Sequence, residues 1–182
     1  SIQDPKERNN ERKEILLENP EGKNNEASDF MCFIDLWENY EAVRRTSTQS
    51  QLRKYCKENN LSFVRMREWR EIHKQLVLGC RKLGFKTNKN NGTYSAIHKS
   101  VIAGSLNQIA TKVEGKQYIG SRNKRFVLSK SSVISKSNHK WIVSGELIET
   151  SQIFSSIAAK IKPEWIVVMA PHLVKKEIFG PH

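Results

Sequence analysis

The sequence is poor in the residues that carry disulfides, metals and bound nucleotides. Its three cysteines, Cys32, Cys56 and Cys80, form no Cys-x-x-Cys pair, and an odd count of this kind argues against a secreted disulfide scaffold. Each lies in a helix-like stretch, where a free thiol reads as a small buried hydrophobe in a reducing compartment. The five histidines (His73, His98, His139, His172 and His182) are scattered, without a His-Glu-x-x-His or any zinc-site spacing. His73, at helical spacing from Trp69, reads as a core-edge residue. Neither Gly22-Lys23-Asn24 nor Gly115-Lys116-Gln117 has the upstream glycine and the Ser/Thr of a phosphate-binding loop, and no Asp-Glu-x-Asp/His box is present to hold magnesium. Carboxylates do pair, as Glu68/Glu71 and Glu146/Glu149. The first pair flanks Arg and Lys on a helix, and the second sits three apart in a strand-like run, where its members point to opposite faces. Neither has the form of acid–base machinery, so this segment is expected to catalyse nothing by itself.

Long apolar runs are missing too. Nothing approaches the ~18–20 residues that span a bilayer, and the start, Ser1-Ile2-Gln3-Asp4-Pro5, is neither a signal nor a transit peptide. With no initiator Met, the chain reads as a piece of a longer polypeptide, and a cytoplasmic location is expected. What remains is an ordinary globular composition, 37% apolar and 27% charged, in 182 residues, enough for one mid-sized domain or two small ones. Lys plus Arg outnumber Asp plus Glu by 31 to 19, giving +12. Such an excess favours polyanionic partners, nucleic acid before membrane surface.

The excess is unevenly spread. Residues 1–28 carry 5 basic and 7 acidic groups, with five Asn, two Pro and one Gly, and read as a polar connector with a short helix around Glu11–Glu18. Residues 29–92 carry 13 against 7, and residues 93–182 carry 13 against 5.

The middle zone has helical periodicity. Ser28-Asp29 offers an N-cap, followed by Phe30, Phe33, Ile34 and Trp37 at i, i+3, i+4 and i+7. A second helix begins at Thr48 and carries Leu52, Tyr55 and Cys56. The third runs from about Leu61 to Leu83 and stops at Gly84, a favourable C′ residue. On it Trp69, Ile72, Leu76, Cys80 and Leu83 share one face, expected to be buried. Arg67, Arg70, Lys74 and Arg81 form a separate stripe, either a solvated surface or a ridge that tracks phosphates. After the turn-rich Asn88–Gly92, residues Ser95–Ile109 are again helical in spacing.

From Ala110 the period changes. Tyr118-Ile119, Phe126–Leu128, Trp141–Val143 and Ile157–Ile161 are short strand-like runs, and about five such strands suit a small closed barrel. Pro163-Glu164-Trp165 starts a last short helix with Pro at N1. The window Lys112–Lys140 holds eight cations against Glu114 alone. Within it Ser129–Ser137 is a Ser/Lys loop, either a plain surface loop or one that holds phosphate and sugar oxygens.

In order along the chain, Ser1-Ile2-Gln3-Asp4-Pro5-Lys6-Glu7-Arg8, Ser28-Asp29-Phe30…Leu36-Trp37 and Leu61–Trp69 resemble bacterial DEAH-box RNA helicases of the HrpA type. The likeness resumes at Ile97-His98…Ala103-Gly104, Tyr118–Arg122, Trp141-Ile142-Val143…Glu146–Ser151 and Pro163-Glu164-Trp165. It implies an α+β architecture: a connector from a winged-helix domain (1–28), a helical, ratchet-like bundle (29–109), and a five-stranded OB-fold with a C-terminal helix and tail (110–182). It also implies that ATP and magnesium belong to a helicase core outside this segment, which would hold no cofactor itself. The family often has a proline turn after the third barrel strand; here Lys130 takes its place. Lys136–Lys140 likewise lack the prolines common there. The hydroxyls are kept and the turn's rigidity is not, so the loop is expected to be mobile until RNA binds.

The expected role is therefore an RNA-binding accessory region of an ATP-dependent helicase, guiding single-stranded RNA by its backbone. Lys112, Lys116, Arg122, Lys124, Arg125, Lys130 and Lys136 supply charge, and Ser131 and Ser132 supply hydrogen bonds. Arg67, Arg70 and Lys74 are second-choice contacts from the bundle. The expected partners are single-stranded RNA, the helicase's own core and an activating protein on the OB-fold, with no membrane partner. The alternative is a docking platform for that protein or the core, with little RNA binding of its own.

Overall fold

The computed structural model describes residues 28–88 and 90–171, so the expected connector helix around Glu11–Glu18 lies outside the described residues. The chain divides into two compact units. Among the described residues, one contains Phe33–Gly92, and the other takes residues 28–32 together with residues 93–171. The helix Tyr94–Gly104, grouped with the bundle when the sequence is read alone, is thus part of the barrel unit.

Among the described residues three helices build the first unit: α1 (Asp29–Thr46, whose first turn falls in the other unit), α2 (Gln49–Glu58) and α3 (Phe63–Lys82). Each start is chemically marked. Ser28 Oγ accepts from Met31 N at 3.2 Å. At α2, Thr48 Oγ1 accepts from Gln51 N while Gln51 Oε1 accepts from Thr48 N, a reciprocal capping box. Ser62 caps α3. That helix ends as expected: Gly84, at φ +81°, donates to Arg81 O and Phe85 N donates to Cys80 O, a Schellman closure that needs a left-handed residue. Tyr40, Leu52, Cys56, Leu61 and Met66 form the core, each side chain stabilising by roughly 1.5–3 kcal/mol if its apolar surface is fully withdrawn from water.

The face predicted to be buried along α3 is not. Trp69 packs at its N-terminal end, 5.1 Å from the Trp37 ring and 6.2 Å from that of Phe33. Beyond it, Ile72, Leu76 and Leu83 are exposed, and so is Cys80. The small core ends at Trp69, and α3 runs on for three more turns past it. The cysteines follow the same division: only Cys56 is fully buried, with Cys32 half-buried.

The second unit is built on five strands, β1 (Ile109–Lys112), β2 (Gln117–Ile119), β3 (Arg125–Leu128), β4 (Trp141–Glu149) and β5 (Ile153–Lys160), closed in the order β1-β2-β3-β5-β4. All pairings are antiparallel except β3 with β5. The last strand starts four residues earlier than its apolar run, because Ser155 and Ser156 face protein rather than water and break the apolar signature. Period-2 alternation sends Ala110, Tyr118, Phe126, Ile142 and Ala158 into the barrel. Their neighbours Val143 and Ala159 point outward, to a second core with Ile102 of α4 (Tyr94–Gly104) and Trp165 of α5 (Pro163–Met169). Gly145 sits at a register shift of β4, where a Cβ would lie 3.1 Å from Ile157 Cβ, so a side chain there would require Ile157 to give way by a few tenths of an ångström.

Asp29 and His98 tie the start of α1 into this unit. Asp29, fully buried, accepts from Ser132 Oγ (2.6 Å), Val133 N (2.9 Å) and Ala158 N (2.8 Å). Burial pushes its carboxyl up, and those three hydrogen bonds oppose the shift. His98, also fully buried, lies 2.7 Å from Tyr94 O through Nδ1 and 2.6 Å from Ser28 Oγ through Nε2. The carbonyl demands a donor, so the network assigns the neutral tautomer with hydrogen on Nδ1 and Ser28 donating to Nε2.

Candidate nucleic-acid interface

The strand directions sort the predicted cations of the barrel into two ends. Lys112 closes β1, Lys116 sits in the β1–β2 turn, and Lys130 and Lys136 follow β3, all at the end where β1, β3 and β5 finish. At the other end, Arg122 and Lys124 occupy the β2–β3 turn and Arg125 opens β3. The seven therefore do not form one patch.

The two ends differ electrostatically. Lys124 forms an ion pair with Glu149, and Arg125 spends one guanidinium N–H on Gln117 Oε1 at 3.4 Å. Arg122, exposed with φ +55°, lines a cleft of about 520 Å³ that also contains Lys124 and Glu146. At the β1/β3/β5 end, Lys116, Lys130 and Lys136 are exposed, and no ion pair engages them among the described residues. Lys112 is half-buried with Nζ 5.6 Å from the Tyr118 ring centroid.

Ser131 and Ser132, expected to offer hydrogen bonds, are turned inward. Both are buried: Ser132 Oγ donates to Asp29, and Ser131 Oγ lies 2.8 Å from Ser129 Oγ. Nor is the loop a free one. Ile134 is fully buried inside the barrel, and Asp29 holds the Val133 amide. A buried apolar side chain and a buried carboxylate do here what a proline turn would otherwise do, and Lys130 and Lys136 are left as its outward contribution.

The end of the barrel carries further cations that the sequence reading left out of the site. His139, Lys140 and Trp141 at the start of β4, with Lys160 at the end of β5 and Ile161, Lys162, Pro163 and Glu164 beyond it, line a cleft of about 480 Å³. Strand pairing creates it by setting Ile142 opposite Lys160. Burial pushes the His139 imidazole below its ordinary value, and the charges of Lys160 and Lys112 push it further. Only register could have revealed this, because the lining residues are up to 25 positions apart.

In the helical unit Arg67 and Lys74 are exposed. Arg70 is not free: its Nε meets Glu41 Oε1 at 2.7 Å, and Arg44 shares that carboxylate. Burial pushes the Glu41 carboxyl up, but Arg44 and Arg70 outweigh it and hold it below its ordinary value. Arg70, Lys74 and Arg45 line a cleft of about 620 Å³ together with Glu38, Glu41 and Glu71, so its charges are mixed. Among the described residues no cluster of His, Cys, Asp and Glu could hold a metal ion, and no helix is long and apolar enough to cross a membrane.

Known proteins place this arrangement. The oligonucleotide/oligosaccharide-binding (OB)-fold family matches residues 97–173, so the barrel is an OB-fold. Over its full length the chain is 36% identical to the ATP-dependent RNA helicase HrpA homolog of Haemophilus influenzae and 35% identical to ATP-dependent RNA helicase HrpA of Escherichia coli. Along its whole length the chain is similar to a segment of the HrpA-type helicases. It spans 14% of the length of each of those relatives. HrpA of Borreliella burgdorferi is 24% identical over 143 residues, which cover 78% of this chain and 17% of that protein. The OB-fold match begins inside α4, in keeping with the packing of that helix against the barrel rather than in the three-helix unit.

Proposed function

We propose that this chain is an accessory region of an ATP-dependent RNA helicase and holds single-stranded RNA by its backbone. The observation that carries the reading is the β1/β3/β5 end of the OB-fold, where Lys116, Lys130 and Lys136 stand exposed without a carboxylate partner among the described residues. Exposed ammonium groups on loops of a small barrel can meet successive phosphates without reading bases. ATP and magnesium would be held by a helicase core elsewhere in the cytoplasmic parent protein, and this chain alone would hydrolyse no ATP. Titrating a labelled oligouridylate with the 182-residue chain tests the reading. Each phosphate contact should contribute about −0.7 to the slope of log K against log[salt], and Lys130→Glu with Lys136→Glu should weaken binding severalfold. A flat salt response would overturn it.

A docking role has its own support in the helical unit. Ile72, Leu76, Leu83 and Phe85 are each more than half exposed, a large apolar outlay for one helix and its cap. It would receive the helicase core or an activating protein, and it is compatible with RNA on the barrel.

A further inference from the structure

We propose that the cleft between the start of β4 and the end of β5 is a nucleotide subsite, in which Lys140, Lys160 and Lys162 hold a phosphate of a single strand and Trp141 meets its base. The inference rests on the RNA-binding reading above and assigns to it a site that the sequence pattern does not contain.

Three observations converge. First, the cleft is cationic: Lys140, Lys160 and Lys162 are exposed and enter no ion pair among the described residues, and Glu164 is the single carboxylate in the lining. Burial is the larger cause that holds the His139 imidazole below its ordinary value, and the charges of Lys160 and Lys112 add to it. Holding like charges together costs free energy that a bound anion returns. Second, the backbone carrying these side chains is fixed. Lys140 O accepts from Lys112 N at 2.8 Å and from Thr111 Oγ1 at 3.2 Å, and Lys160 O accepts from Tyr94 Oη at 2.8 Å. Trp141 O accepts from Ile161 N at 3.1 Å, and His139 O accepts from Tyr118 Oη at 2.9 Å. Burial pushes the Tyr94 phenol up to about 12, so it remains a donor throughout the physiological range. Third, the charge surrounds an aromatic. Trp141 is half-buried against the outer core, which fixes its ring while it still lines the cleft. A fixed aromatic beside phosphate-binding cations is how single-stranded nucleic acid is held without sequence preference. The cleft volume, about 480 Å³, falls in the range of small-molecule sites.

The test compares two double variants of the full 182-residue chain in oligouridylate binding, Lys160→Glu with Lys162→Glu and Lys130→Glu with Lys136→Glu. All four lysines are exposed, so neither variant disturbs the core. The Lys160/Lys162 pair should weaken binding about tenfold or more and remove about 1.4 from the salt slope. Oligouridylate should quench the tryptophan emission that is lost in W141F, whereas inorganic polyphosphate of matched charge should not. The His139 ring resonance should titrate at higher pH when oligouridylate is bound, because the anion offsets the charges of Lys160 and Lys112 that act on the ring. If the Lys160/Lys162 variant binds as wild type while the Lys130/Lys136 variant weakens, the subsite is overturned and the RNA reading survives. Quenching by polyphosphate equal to that by oligouridylate would overturn the base contact. A wild-type chain that ignores salt would overturn both readings.

Discussion

In the barrel unit Ile134, Ile142 and Val143 are completely buried, whereas on α3 of the helical unit Ile72, Leu76 and Leu83 are 54%, 64% and 76% exposed. Both sets have apolar side chains at the spacing their secondary structure requires. The barrel supplies its own second surface, because a closed sheet packs its inner face against itself and α4 and α5 cover part of the outside. A helix has no such recourse once its neighbours end. Periodicity thus identifies the residues that share a face, and the presence of a partner decides whether that face is a core.

Substitutions can break this contrast. The largest effect is expected from Asp29→Ala, which strips the acceptor from two backbone amides and from the buried Ser132 hydroxyl. Each orphaned donor costs about 1–3 kcal/mol, and relief of the buried carboxylate's own desolvation offsets part of the sum. Denaturant unfolding should place the net loss at about 3 kcal/mol, and an unchanged midpoint would deny the clamp any energetic role. A middle-sized effect comes from acid. Burial depresses the proton affinity of His98, the Tyr94 carbonyl opposing only in part, so the folded state refuses a proton that the unfolded chain accepts near pH 6.5. Stability is therefore full above that pH and falls as the pH drops through the window toward the depressed folded value, by at most about 1.4 kcal/mol per pH unit. His98→Gln should flatten this slope, leaving the share owed to His139, which is shifted the same way. The smallest effect belongs to α3: Leu76→Ser should move the unfolding midpoint by no more than about 0.5 kcal/mol, since the side chain is already in water. A loss of 2 kcal/mol or more there would show that the face is covered in solution.

Much of the fold was legible because its signals are local. Thr48 with Gln51, Ser62 and Gly84 mark helix ends within a few residues, and the runs around Tyr118, Phe126 and Trp141 mark strands. The candidate site was legible only as charge. That Lys124 is spent on Glu149, and Arg70 on Glu41, depends on which chains cross near them. The Ser131 and Ser132 hydroxyls turned inward for a reason more than a hundred residues away, a carboxylate at position 29. Lys140, Lys160 and Lys162 became neighbours through the register of β4 on β5, which no short window contains.

The reach of Asp29 has a temporal side. Its partners lie 103, 104 and 129 positions further along the chain, so while the polypeptide emerges from the ribosome the carboxylate waits until those segments have been made. The β4–β5 hairpin and the β1–β2–β3 meander can each form from near neighbours. The parallel seam between β3 and β5 and the Asp29 contacts need distant segments and bear the larger loop-closure cost. The residue that locks the loop is thus made long before its partners and is among the last to find its place.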